Sequence, residues 1–329
     1  MNTLLAHYIN VLQPEIFKIT ESFGPKWYGL AYIGGFVAAY LLMVWMAKRK
    51  IGQLKPEEIS DFIFMGALFG VMLGGRLGYV LFYQPQMIIE EPLSILKLWD
   101  GGMSSHGGIL GLMVFTFFYA RKRQISWSGI GDNLVVVTPL GILFGRLANF
   151  INGELYGHVS DVAWTVKFPN EFLHGDLSEN HPEQASQIFR TIGEMEPQLL
   201  NGFGLADSSG AAMMERMREN DAFREAVGEF LNPRHPSQLY EGFLEGLVLF
   251  AILFAVRIKW RSAPFGTITG LFFILYALFR IVVENYRVPD AEEIMGLTRG
   301  QFYSLPMILI GVGFLIFAFR SKKPHPSTV

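Results

Sequence analysis

The stretch WYGLAYIGGFVAAYLLMVWMAKRK, residues 27–50, decides the fold. It is apolar from Trp27 to Ala47 and stops on Lys48, Arg49 and Lys50. About 20 mostly apolar residues in a helix cross a bilayer core of ~30 Å, so this run is long enough to span. Similar windows recur at 61–83, 104–120, 132–151, 237–257, 264–284 and 302–320. Together they predict an all-α polytopic membrane protein with about seven transmembrane helices. The third window is short and rich in glycine. Residues 1–20 are too short and polar to span and read as an interfacial arm.

The flanking charges set an orientation. Lys48, Arg49, Lys50, Lys55, Arg121, Lys122, Arg123, Arg257, Lys259, Arg261, Arg320, Lys322 and Lys323 fall on one side. The opposite short loops carry Glu90, Glu91, Lys97 and Asp100, then Asp290, Glu292, Glu293 and Arg299. The basic side is therefore expected to be cytoplasmic, with the N-terminus outside and the C-terminus inside. The expected organisation is an extracytoplasmic arm (1–26), helices 1–4 (27–151), an extracytoplasmic, periplasmic head segment (152–236), helices 5–7 (237–320) and a cytoplasmic tail (321–329). Within the head, Trp164, Val166, Phe168 and Pro169 read as short strands or irregular chain. Residues 180–210 look polar and loop-like. Met213, Met214, Met217, Phe223, Val227 and Phe230 mark one amphipathic surface helix over about 211–230.

Composition narrows the chemistry. Of 329 residues 51% are hydrophobic and 17% charged, and the net charge of −2 gives no footprint for nucleic acid. There is no cysteine, which excludes a disulfide scaffold, a thiolate metal site and a cysteine nucleophile. Any thiol in the reaction must come with a substrate. No basic n-region precedes the first apolar run, so a cleaved signal peptide is not expected. No internal repeat is visible, which weighs against a transporter.

An ionisable group at membrane depth is costly and is a functional candidate by default. With helix directions assigned, Arg76, His106, Arg146, Asn149, Glu154, His235, Ser237, Tyr240, Glu241, Arg280, Glu284 and Arg287 all fall near the outer leaflet. Arg146, Asn149 and Gly153 share one helix face, as do Tyr276, Arg280, Glu284 and Arg287. Arg76, Tyr79 and Tyr83 form another stripe, and Glu241 and Glu245 are an i, i+4 pair. Plainer readings stand beside these. Arg287 and Arg299 can be satisfied by lipid phosphates through snorkelling. Glu284 either neutralises Arg280 or acts directly. Arg76 either pairs with Glu241 or Glu245 or contacts substrate. His235, before Pro236, reads as structural. Gly74, Gly75, Gly107, Gly108 and Gly111 suit close helix packing.

Several arginines at one leaflet suit a phosphate, which guanidinium binds bidentately. A histidine nearby can serve as general base. No HExxH, no paired histidines at ligand spacing and no GxSxG elbow occur, so neither a metal nor a serine nucleophile is expected. These residues favour direct transfer from a lipid to an outside acceptor. The competing readings are a transporter or flippase of an anionic lipid and a structural protein with an outside binding domain. The first predicts polar residues through both leaflets, whereas the inner halves of spans 1, 3, 5 and 7 are nearly free of charge. The second leaves Arg146 and Arg280 without a reason to sit in lipid.

Longer motifs then carry a resemblance. The runs Trp99–Gly108, Gly145–Gly157, Arg234–Glu241 and Phe279–Glu284, with Trp27–Gly29 and Gly74–Arg76, resemble the phosphatidylglycerol–prolipoprotein diacylglyceryl transferase family, in order and over most of the chain. The segment 180–230 is longer than that family's pattern. The resemblance implies transfer of a diacylglyceryl group from phosphatidylglycerol to the lipobox cysteine of a preprolipoprotein signal peptide, in a bacterial inner membrane. It implies no cofactor. It marks the positions of His106, Arg146, Asn149, Gly157 and Arg280; with it, His106, Arg146 and Arg280 are read as catalytic, and Tyr28, Arg76, Asn149, Glu154, Gly157, Tyr276 and Glu284 as substrate-binding. Either His106 or an arginine-centred arrangement then activates the thiol, Arg146 and Arg280 take the leaving phosphate, and Glu154 and Glu284 orient the arginines.

Overall fold

The computed structural model describes residues 7–17, 24–97, 102–173, 176–202, 208–289 and 292–321. Trp99, Asp100 and Gly101 of the first motif and the tail from 322 lie outside the described residues. Among the described residues, six helices are long and apolar enough to cross a membrane. They are α1 (Trp27–Lys48), α2 (Pro56–Tyr83), α4 (Trp127–Asn152), α8 (Ser237–Lys259), α9 (Thr267–Glu284) and α10 (Arg299–Ser321). The expected third span is also helical, as α3 (Ser105–Arg123), but its glycines and basic end keep it out of that set. Ser104 caps it by accepting from the Gly107 amide at 3.2 Å. Both α2 and α8 contain π-helical segments, Gly66–Met72 and Gly242–Val248.

The chain divides into two compact units. The first comprises 1–32, 142–245 and 278–304; the second comprises 33–141, 246–277 and 305–329.

The first unit holds the segment 152–236, termed the head. Its small sheet joins β1 (Tyr8–Ile9) in parallel to β2 (Val166–Lys167), and β2 antiparallel to β3 (Pro233–Arg234). Within the segment expected as an interfacial arm, Tyr8–Ile9 is thus an edge strand. Arg218 donates to the Val11 carbonyl at 2.7 Å, and Asn10 to Phe150 at 2.6 Å. Lys167 donates to the Gly228 carbonyl at 2.6 Å, and burial lowers its pKa.

The expectation of a loop over 180–210 is corrected. Pro182–Met195 is a helix, α5, with Ala185, Ile188 and Ile192 buried at i, i+3 and i+7. The single helix expected at 211–230 is two, α6 (Ser208–Glu219) and α7 (Asp221–Gly228). Asn220 separates them as an N-cap, accepting from the Phe223 amide at 3.1 Å. Their apolar face does not lie on a surface. Met213, Met217, Phe223 and Val227 join Phe172, Ile188, Ile192 and Leu231 in a core of the head's own.

In the second unit α2 and α3 touch along a glycine seam. A Cβ on Gly78 would lie 2.4 Å from the Gly107 Cα, and one on Gly74 2.7 Å from the Gly111 Cα. Only backbones without side chains can come this close. The same unit buries a polar knot. Asp132 accepts from the Gly266 and Thr269 amides, each at 2.8 Å, and from the Thr269 hydroxyl at 2.9 Å. Beside it Arg257 donates from Nε to Asn133 at 3.1 Å.

Candidate functional site

Burial of Glu241 organises the first unit. Glu241 lies one turn into α8 and is 0% exposed. Its Oε1 accepts from Arg280 Nη1 at 2.5 Å and Arg287 Nη1 at 2.8 Å, and its Oε2 meets Arg146 Nε at 2.7 Å. Three guanidiniums from α4, α9 and the chain after α9 thus converge on one carboxylate. Gly242 permits the approach of α4, since a Cβ there would stand 3.4 Å from the Arg146 Cβ.

Two more carboxylates complete the cluster. Glu284 pairs with Arg280 Nη2 at 2.8 Å, one helical turn along α9. Glu284 is itself hemmed in, because a side chain on Gly300 would occupy the place of its carboxylate. Glu245, fully buried in the π segment, has Oε1 3.7 Å from Arg280 Nη1. Among the described residues neither of its oxygens accepts a hydrogen bond. Three arginines therefore face three glutamates, which leaves the ionised cluster near neutral.

Exposure distinguishes the arginines. Arg146 and Arg280 keep 19% and 13% of their side chains accessible, against 3% for Arg287. The first two can receive an anion without leaving Glu241; Arg287 is committed to the protein. Snorkelling to lipid, the plainer reading of Arg287, is overturned by its burial against Glu241. Arg299 is exposed and donates to the Glu292 carbonyl at 3.4 Å.

Asn149 joins the edge of this cluster. Arg146 Nη1 stands 3.5 Å from its Oδ1, and its Nδ2 donates to Glu154 at 2.7 Å. Asn152 donates to the same Glu154 oxygen at 3.3 Å. Gly157 is a crossing point of three chain segments. Its amide donates to His235 O at 2.9 Å, and its carbonyl accepts from Arg234 at 3.2 Å. A Cβ there would lie 2.2 Å from the Tyr286 carbonyl, so only glycine fits. In this structure Gly157 sets the course of the chain around Arg287, with which it forms a β-bridge. Tyr28 is partly exposed, edge-on to Tyr32 with ring centroids 5.2 Å apart. His235 contributes to an aromatic group with Tyr240 and Tyr286, its Nδ1 3.0 Å from the Tyr240 hydroxyl. Burial, and then His158, depress its pKa.

The remaining candidates belong to the second unit. His106 is exposed in the first turn of α3, between capping Ser104 and buried Gly107. Arg76 is 2% exposed and donates to the carbonyls of Ser94 at 2.7 Å, Ile95 at 3.2 Å and Gly102 at 3.4 Å. It thereby anchors the loop that leads into α3. Tyr276 stacks on Phe272 at 5.7 Å.

The structure brings Arg146, Asn149, Glu154, Arg280 and Glu284 together around Glu241, which the sequence places at the same leaflet without assigning it to the site. Glu241, with Glu245, was visible as an i, i+4 acidic pair in an apolar helix. Arg287 was visible as the last member of the α9 stripe. The signal for all three was present in their depth.

Comparison with known proteins identifies the family. The family model described as prolipoprotein diacylglyceryl transferase matches residues 14–317. Three similar proteins are each named phosphatidylglycerol–prolipoprotein diacylglyceryl transferase. That of Bdellovibrio bacteriovorus is 36% identical, covering 96% of this chain and 95% of its own. That of Proteus mirabilis is 36% identical over 97% and 98%, and that of Erwinia tasmaniensis 38% over 94% of each. The chain belongs to the prolipoprotein diacylglyceryl transferase family.

Proposed function

We infer that this chain is a membrane-embedded transferase that moves the diacylglyceryl group of phosphatidylglycerol onto the lipobox cysteine of a preprolipoprotein. The observation that carries the reading is the Glu241 cluster, with two partly exposed arginines held at fixed geometry inside apolar helices. The names of its relatives favour this reading over an anionic-lipid flippase.

The chemistry follows from the residues. A cysteine thiol is mostly protonated at neutral pH, so a base must take its proton, and His106 is assigned that task. The sulfur attacks the glyceryl carbon that bears the phosphate. A C–S bond forms as the C–O bond breaks, and glycerol phosphate leaves with the electron pair. The thiol proton ends on the product phosphate or in water. Arg146 and Arg280 hold the phosphate oxygens as negative charge grows there, and Glu241 keeps both guanidiniums aimed. Arg287 and Glu284 hold Glu241 and Arg280 in turn. Asn149 and Glu154 fix the open side of Arg146. Tyr28, Arg76 and Tyr276 are assigned to the substrates, Arg76 by shaping the loop before α3.

In this reading the protein lies in a bacterial inner membrane with α3 as its seventh span, the N-terminus outside and the C-terminus in the cytoplasm. The site faces the outer leaflet. The head covers it, since β3 leads directly into α8 and Glu241. Purified protein mixed with phosphatidylglycerol and a lipobox peptide should add one diacylglyceryl mass to the cysteine, and none to a serine control. A folded protein that makes no adduct would refute the assignment. Deleting about 185–228 should lower turnover on the peptide; unchanged turnover would remove the covering role.

A further inference from the structure

A second candidate lipid site lies in the second unit. A groove of about 980 Å³ runs along the outside of the α2–α3 seam. Its walls include Phe69, Leu77, Leu81, Leu110, Val114 and Phe118, and its far end is formed by Lys122 and Arg123. The groove follows α3 from Gly107 to Arg123, about 24 Å at the helical rise. It exists because Gly74, Gly78, Gly107 and Gly111 bring the two backbones together and leave no side chains to fill the surface above them.

The two ends differ in charge. The end near Gly107 and Leu81 is apolar. At the other end Lys122 is exposed and, among the described residues, has no ion-pair or hydrogen-bond partner. Arg123 is 51% exposed; it meets Glu58 at 3.1 Å and covers the Tyr119 ring at 5.6 Å. Asp61 is the other acid near Tyr119. Glu58 engages one guanidinium nitrogen and the Tyr119 hydroxyl accepts from the same guanidinium, whose five donors still leave some, with the Lys122 ammonium, for an anion. An apolar trough ending on cations matches an amphiphile with an anionic head. Basic pockets between transmembrane helices hold lipid headgroups by this combination.

We propose that this groove holds one acyl chain of an anionic phospholipid whose phosphate rests on Lys122 and Arg123. The site serves the leaflet at the C-terminal end of α3 and is independent of the transfer reaction. The lipid would supply the apolar surface that the glycines cannot.

Native mass spectrometry tests it. Full-length protein, stripped of lipid in detergent, is offered phosphatidylserine or phosphatidylcholine, neither of which is the transferase donor. One phosphatidylserine should remain bound and phosphatidylcholine should not. The double variant Lys122→Gln/Arg123→Gln should weaken retention about tenfold. Leu110→Trp fills the trough from a position 51% exposed, so it leaves the core alone, and should also release the lipid. Equal retention of both lipids, or of phosphatidylserine by wild type and both variants, would overturn the proposal.

Discussion

Asp132 and Glu241 are both carboxylates buried in long apolar helices, and each has arginine nearby, yet they are built differently. Asp132 accepts three hydrogen bonds, two of them from backbone amides at the start of α9. Those amides are orphans of the helix terminus, and the carboxylate satisfies them. Arg257 beside it is 1% exposed. That knot is shut off from solvent. Glu241 accepts from guanidiniums alone, and two of its three arginines stay partly open. In the proposed function, a buried carboxylate with reachable arginines holds them toward a ligand. Depth in the membrane alone therefore does not separate the two; exposure of the arginines does.

The contrast predicts different failures. Glu241→Ala should cost most, because it strands three buried or half-buried arginines. Breaking a buried pair by removing one partner costs about 3–5 kcal/mol, and turnover should fall more than about a hundredfold in whatever protein stays folded. Asp132→Ala should cost a similar about 3–5 kcal/mol in thermal unfolding in detergent. Its folded fraction should keep near-normal turnover per molecule, and a selective loss of catalysis would erase the distinction. Glu284→Gln keeps shape but loses the charge paired with Arg280 at 2.8 Å. Turnover should drop about tenfold, equivalent to 1.4 kcal/mol of transition-state stabilisation.

The smallest effect concerns His235. Its folded pKa is depressed by burial, so the unfolded chain binds the proton more readily. Stability is then complete above the unfolded value of about 6.5 and declines as pH falls below it. A melting curve followed from pH 7.5 to 5.5 should fall slightly, and His235→Gln should flatten that slope.

Much of this was legible before any coordinates. All seven apolar windows are helical, and six of the helices are long and apolar enough to cross a membrane, because membrane length sets a strong and simple constraint. The α9 stripe places Arg280 and Glu284 together, and they pair at 2.8 Å, since helical spacing survives any tertiary context. The head was less legible. Asn180–Gly210 looked like loop by polarity, but the period of Ala185, Ile188 and Ile192 carried the helix. Asn220 was passed over as a cap inside one long pattern. Glu241 was seen and not promoted, because sequence shows depth but not how many partners one carboxylate collects. Gly157 was assigned to substrate by resemblance, while its backbone contacts explain why no side chain fits there.

The central claim is that the open edges of Arg146 and Arg280 hold the phosphate, rather than only neutralising Glu241. Arg146→Lys and Arg280→Lys keep the charge and lose the planar fork. The decisive measurement is the single-turnover rate of thioether formation at saturating phosphatidylglycerol, with melting temperature read on the same samples. The account predicts rates lower by about a hundredfold with melting temperatures nearly unchanged. Lysine variants that keep the wild-type rate, or that lose it only in step with stability, would contradict it.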